Sequence, residues 1–284
     1  MQPRHLLSAM MVTAALAATT AQAAPAHEVL QASELEFQPL NPTRGDASPQ
    51  AGILWGNILE NTASGVLLKF ADGFSSPPHI HNITYRAVVI SGAVHNDDPN
   101  AEKMWMGPGS FWTQPAGEPH ITSALPGSGA TAFLEIEAGP YLVQPQADAF
   151  DNGERPLNLE ASNIVWLDAT EVDWLNMDRV SKAAGEPQVA FLWGSPEDGQ
   201  ENGSFLKLPR DFNGRLNGAE SWLRAIVISG SVQLQEPDTQ NPKTLEPGSY
   251  FGSKGEASHT ISCETADGCV LYLRATGRYT VDAP

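Results

Sequence analysis

Residues 86–92 read Arg86-Ala87-Val88-Val89-Ile90-Ser91-Gly92, and residues 224–230 read Arg224-Ala225-Ile226-Val227-Ile228-Ser229-Gly230, an offset of 138. The same offset of 138 carries Ile53-Leu54-Trp55-Gly56 onto Phe191-Leu192-Trp193-Gly194 and Gly139-x-Tyr141 onto Gly277-x-Tyr279. It also carries Gly65-Val66-Leu67-Leu68-Lys69 onto Gly203-Ser204-Phe205-Leu206-Lys207. Gly109-Ser110-Phe111 returns as Gly248-Ser249-Tyr250 at 139, so one residue is inserted between those segments. A period this long, with so few gaps, means two copies of one domain and not a solenoid.

Each copy reads as β. Residues 66–70, 85–90 and 132–136 are short apolar runs rich in branched and aromatic side chains. Asp98-Pro99, Gly107-Pro108-Gly109, Pro126-Gly127 and Glu246-Pro247-Gly248 punctuate them as turns. Many short strands with frequent turns predict a sandwich or barrel. Residues 144–156, rich in Asp, Gln, Asn and Gly, read as the linker. Residues 157–175 have room for one short turn or helix in the approach to the second copy.

Arg4 and His5 precede an apolar stretch from residue 6 to residue 18, and Ala21-Gln22-Ala23 follows with small residues. That pattern predicts a cleavable secretory signal peptide over residues 1–23 and a periplasmic or secreted mature chain. The chain carries a net charge of −17, and removing the leader with its single Arg4 leaves −18. A field of that sign repels phosphate backbones and anionic membranes, so neither nucleic acid nor membrane is an expected partner. The two cysteines, Cys263 and Cys269, flank a five-residue turn. In an oxidising compartment they are expected to form one disulfide across a hairpin.

The chemistry concentrates in Gly73-x5-His79-x-His81-x3-Tyr85-x6-Gly92 and Gly109-x5-Pro115-x-Gly117-x2-His120. Two histidines at spacing two on a strand project to one face. His120, arriving from a later strand, completes a three-imidazole metal site. Imidazole suits iron, zinc, nickel and copper alike, so ligand type alone does not choose the metal.

These two spacings resemble the paired motifs of the cupin superfamily, Gly-x5-His-x-His-x3/4-Glu-x6-Gly and Gly-x5-Pro-x-Gly-x2-His-x3-Asn. With the repeat, the resemblance spans nearly the whole mature chain and is closest to exported double-cupin proteins of unassigned function. It implies an all-β chain of two tandem jelly-roll β-barrels. The first, over residues 24–145, would bind a metal; the linker and a second barrel would fill residues 146–284. Two departures matter: Tyr85 and Arg86 stand where the family places its Glu ligand, and Ala124 replaces the closing Asn. Such a set resembles the three-His iron dioxygenases among the cupins. It implies one divalent transition metal per chain, Fe(II) first, with Zn, Ni, Mn or Cu as alternatives. In the second copy the three positions fall on Asn217, Ala219 and His259, so that site is degenerate.

The resulting expectation is a dioxygenase-like oxidoreductase acting on a small organic molecule. A redox-neutral isomerase or lyase, and a metal- or ligand-binding sensor or scavenger, stand as alternatives. Tyr85 is the candidate catalytic residue, as base, phenolate ligand or core aromatic. His95 is expected at the surface, and Glu118 beside His120 is expected to face solvent or to support that ring. Trp105, Phe111 and Trp112 are expected in the barrel core or at its mouth. Arg86 and Arg224, equivalent in the two copies, are expected to share a structural task. Cupin barrels commonly share strands, so a homodimer is expected.

Overall fold

The computed structural model describes residues 27–176, 185–218, 222–236 and 241–282. The expected leader lies outside these residues, as does Ala219. Among the described residues the chain is all-β, with strands joined by turns and by 3₁₀ segments of at most six residues. No helix there is long and apolar enough to cross a membrane. Residues 157–175 contain a short strand, Leu157–Leu159, and one 3₁₀ turn, Ala161–Asn163.

The repeat is visible in the strand order. In the first half, Phe111–Gln114, Tyr85–Ser91, Ala130–Ile136, Ser64–Phe70 and Gln50–Trp55 lie side by side, all antiparallel. In the second half, Tyr250–Lys254, Trp222–Ser229, Cys269–Thr276, Glu201–Leu208 and Gln188–Gly194 repeat that order. The two large sheets pack back to back. Ala87, Val89, Ala132 and Leu134 point into the first half's core, and Val227, Leu271 and Leu273 into the second's. Val88, Phe133, Phe205, Ile226 and Tyr272 fill the core between the sheets. Both faces of these strands are therefore buried, which is why they read as unbroken apolar runs without polar alternation.

The expected barrels are not closed: each sheet begins and ends on an edge strand. In the second half, Phe212–Gly218, Ala257–Cys263 and Val232–Gln235 belong to one six-stranded sheet facing the large one. The equivalent layer of the first half is split into two ribbons, His79–His81 with Val143–Pro145 and Val94–Asp97 with Ile121–Ala124. A bridge between His79 and His120 joins them. The opening in the first half is where the candidate site lies.

The halves exchange arms. His27–Leu30 pairs with Tyr250–Lys254 of the second half, and Leu157–Leu159 pairs with Phe111–Gln114 of the first. After each arm a 3₁₀ turn docks on the host sheet: Ala32 N donates to Ser249 Oγ at 3.0 Å and Ala161 N to Ser110 Oγ at 3.1 Å. The arms repeat at an offset of 129, which hides them from a register of 138.

The shared task of Arg86 and Arg224 is reciprocal. Arg86 lies over the Trp193 ring at 4.1 Å, and Arg224 over the Trp55 ring at 5.3 Å, so each half caps the other's tryptophan. Such contacts contribute about 0.5–2 kcal/mol. A buried ion pair crosses the same interface: Arg274 Nη1 donates to Glu135 Oε1 at 2.8 Å, and Tyr272 donates to Glu135 Oε2 at 2.9 Å.

Cys263 and Cys269 are disulfide-bonded, with Cα atoms 6.0 Å apart. They do not close a hairpin, because Ala257–Cys263 and Cys269–Thr276 pair in different sheets. The bond staples the two layers of the second half, and a loop this short contributes about 2–3 kcal/mol.

Candidate metal centre

His79 and His81 lie on one three-residue strand, with Ile80 between them facing the opposite side and fully buried. His120 sits directly across from His79, the two backbones exchanging N–H···O bonds of 3.0 Å in both directions. Strand alternation thus supplies two rings and the cross-strand neighbour the third. The ring centroids are 4.2 Å apart for His79 and His120, 4.9 Å for His79 and His81, and 5.2 Å for His81 and His120. One ligand atom from each lies within 4.8 Å of the others.

Hydrogen bonds fix the tautomer of every ring. His79 Nδ1 faces Pro77 O at 2.9 Å, His81 Nδ1 faces Leu142 O at 3.0 Å, and His120 Nδ1 faces Glu118 O at 3.1 Å. A carbonyl only accepts, so each Nδ1 carries the proton and each Nε2 is left unprotonated, with its lone pair as an acceptor. Burial lowers the pKa of all three, His120 to about 3 and His81 well below the ordinary value. Neighbouring imidazoles lower His81 and His120 further, and the Arg44 charge lowers His79. Three neutral, oriented imidazoles, each backed by a carbonyl, fit a divalent transition metal bound through Nε2. Glu118 contributes through its backbone, and its half-buried carboxylate stands apart from the cluster.

Tyr85 is buried, its hydroxyl 3.4 Å from His120 Nε2 and 3.1 Å from Asn96 Oδ1. Burial pushes its pKa up to about 12, so it enters as a neutral phenol. An amide ladder determines its donor direction. Gln114 Nε2 donates to Glu118 O at 3.0 Å, and Asn96 Nδ2 donates to Gln114 Oε1 at 2.8 Å. Asn96 Oδ1 is then the acceptor for both Tyr85 and Thr122, the latter at 2.7 Å.

The sequence reading misses Asn96, Gln114 and Thr122, and it takes Tyr141 only as a marker of the repeat. Tyr141 stacks on His81 at 4.3 Å, with its hydroxyl 3.0 Å from His81 Nε2. A usable signal lay in the repeat. At equivalent positions the second half has Leu223 for Tyr85, Leu234 for Asn96 and Ile261 for Thr122, and the strand registers agree. The polar set is confined to the half that has three histidines. In the second half Asn217 is tied to Asp282 Oδ2 at 2.7 Å, and His259 Nε2 to Ser253 Oγ at 2.8 Å.

His95 is not at the surface. It is 1 % exposed, on the face of its strand opposite to Asn96, edge-on to Trp105 at 6.1 Å, and outside the histidine cluster. Phe111 lies in the core between the sheets, and Trp112 lines the site. A cavity of about 190 Å³ opens beside His79, His81, Tyr85 and Tyr141, with walls that are mainly apolar.

The family described as a domain of unknown function, DUF4437, matches residues 28–282. The chain belongs to that family. No match is found among curated proteins. Among solved structures it is similar to a proposed dioxygenase of Nostoc punctiforme, with a TM-score of 0.66 at 14 % identity over 94 % of this chain and 90 % of that one. It is also similar to oxalate decarboxylase of Bacillus subtilis, with a TM-score of 0.52 at 13 % identity over 93 % of this chain and 80 % of that one. Another form of that decarboxylase, studied for its Mn(II) centres, gives a TM-score of 0.53 at 12 % identity, again over 93 % of this chain and 80 % of that one. These are cupin-fold proteins, and the fold of this chain is cupin-like.

Proposed function

We propose that this chain is an exported, metal-dependent oxidoreductase of double-cupin type that dioxygenates a small organic molecule in the first of two tandem jelly-roll units. One observation carries the reading: three Nδ1–H···O=C bonds leave Nε2 of each ring unprotonated, and the three rings bring one ligand atom each within 4.8 Å of the others beside an apolar cavity. His79, His81 and His120 would hold one divalent metal per chain. When bound, Fe(II) supplies Lewis acidity and reactivity toward dioxygen. A ligand set without a carboxylate favours iron over manganese in this reading.

The chain's own residues do the rest. The apolar walls bind the substrate and exclude water, which strengthens every polar contact inside. Tyr85, its proton donated to Asn96 Oδ1, stays a neutral phenol beside His120 and lines the site without competing for the His120 lone pair. The raised pKa argues against Tyr85 as a resting base and so weakens the isomerase or lyase alternative. The leader-like residues 1–23 support export, and the even, bonded cysteine pair is compatible with an oxidising compartment. A homodimer belongs to the same reading.

Elemental analysis of protein from its own host, then anaerobic Fe(II) loading and oxygen-uptake assays on phenols, diketones and thiols, test it. Iron at one equivalent and oxygen consumption with one substrate class are expected. Native zinc with no oxygen consumption would remove the dioxygenase reading.

A further inference from the structure

The cavity beside the imidazoles has one charged lining residue, Arg44. It is exposed, whereas His79 and His81 are buried, so the cavity runs from a cationic mouth to a neutral nitrogen-rich interior. Leu40, Phe70, Phe74, Leu134 and Val143 contribute to its apolar walls, and Tyr85, Trp112 and Tyr141 add aromatic faces.

The loop carrying Arg44 is built to hold it there. Leu40 N donates to Pro49 O at 2.8 Å and Asn41 N to Ser48 Oγ at 2.8 Å, closing the loop at its base. Asn41 Oδ1 accepts from Thr43 N at 3.1 Å, and Ser48 N donates to Gly45 O at 3.0 Å. Gly45 turns the chain at φ +52°, a conformation that favours glycine. The Arg44 guanidinium lies 5.8 Å from the Phe74 ring centroid.

Among the described residues Arg44, like Arg215 and Arg224, forms no ion pair with a carboxylate, and of these three it alone lines the cavity, whereas Arg86, Arg155, Arg210, Arg274 and Arg278 each face a carboxylate. In a chain of net charge −17, a lone arginine at a cavity mouth is left to pair with something from solution. A single cation matches a single anion. In the metal-free cavity a dianion would press its second charge against apolar walls, at a desolvation cost.

We propose that this cavity takes an aromatic monocarboxylate, with its carboxylate on Arg44 and its ring against the apolar walls. The proposal deepens the metal-enzyme reading and rests on it only for placing the reactive end of that molecule toward His79, His81 and His120. Arg44 is then a specificity-determining residue outside the histidine cluster.

Calorimetric titration of the full chain, metal-free and zinc-loaded, with benzoate and 3-phenylpropanoate against benzamide and 3-phenylpropanamide tests it. Each acid is expected to bind roughly tenfold or more tightly than its amide, the scale of a charge-assisted bond. Arg44→Gln should bring the acids to the level of the amides, and Arg44→Lys should restore part of the preference. A matching unfolding transition and zinc stoichiometry in the Arg44→Gln protein show that its fold and ligands are intact. Equal binding of acid and amide, no saturable binding of the acids, or an unchanged preference in Arg44→Gln overturns the proposal. If the wild type binds no zinc yet prefers the acids, the metal reading fails while the carboxylate site stands. If zinc binds but no preference exists, the carboxylate site alone fails.

Discussion

Tyr85 donates its phenolic proton to Asn96 Oδ1 at 3.1 Å, and so it cannot also donate to His120 Nε2, 3.4 Å away. The amide of Asn96 thus keeps the His120 Nε2 lone pair free by occupying a neighbour's proton. Asn96→Ala removes the acceptor shared by Tyr85 and Thr122. Leaving two buried hydroxyls short of a partner costs about 1–3 kcal/mol of stability. Tyr85 then turns to His120, and metal affinity falls by roughly 10- to 100-fold, the usual scale of an outer-shell loss. Denaturant unfolding and zinc titration measure the two effects. The triple variant Tyr85→Leu, Asn96→Leu, Thr122→Ile, copied from Leu223, Leu234 and Ile261, should fold better than the single variant, because it leaves no orphaned donor.

Tyr141 stands in the opposite relation to its histidine. Its hydroxyl meets His81 Nε2 at 3.0 Å, so a metal entering there must break that hydrogen bond. Tyr141→Phe is therefore expected to lower metal-free stability by about 0.5–1.5 kcal/mol. It should leave zinc affinity unchanged or raise it by up to about tenfold. Weaker zinc binding in this variant would instead make Tyr141 a ligand.

Acid should destabilise the metal-free protein early. Burial holds His120 down to about 3 and His259 to about 4, against about 6.5 in the unfolded chain. Between those values the unfolded chain binds more protons than the native one, so stability falls as pH drops below about 6.5. The loss is about 1–2 kcal/mol for each of these histidines by about pH 5. Urea unfolding at about pH 7.5 and about pH 5 measures it, and His259→Asn should show a shallower loss. Equal stability at both values would mean that the rings are solvated in the folded protein.

Arg274→Met removes the cation paired with Glu135, which is fully buried, and leaves that carboxylate with the Tyr272 hydroxyl as its partner across the interface between the halves. Removing one partner of a buried pair costs about 3–5 kcal/mol, whereas replacing both by apolar residues is often near neutral. The Arg274→Met, Glu135→Leu double variant should recover most of the loss in thermal unfolding. Failure to recover would mean that the pair itself, and not the orphaned charge, stabilises the interface.

Much of this was legible in the chain. The register of 138 gave paired strands in matching order, because apolar runs and glycine turns repeat wherever the same sheet is built twice. The three histidines were legible because a spacing of two fixes their face. The arms were not: their offset of 129 breaks the register, and their partners are about 50 and 220 residues away along the chain. Asn96, Gln114 and Tyr141 were missed for a related reason. Each reaches the site from its own strand or loop, and no local spacing binds them to His79. His95 read as a surface residue because it lies just past the Gly92 turn and no motif places it, but it is the second residue of the paired strand Val94–Asp97 and lies against Trp105.

X-ray absorption on zinc- and iron-loaded protein tests the central claim most directly. The account predicts one ion per chain with three imidazole nitrogens at about 2.0–2.1 Å for zinc, and loss of the ion in His79→Ala, His81→Ala or His120→Ala. An ion bound without imidazole scattering, or retained at full stoichiometry when His81 is replaced, would contradict it.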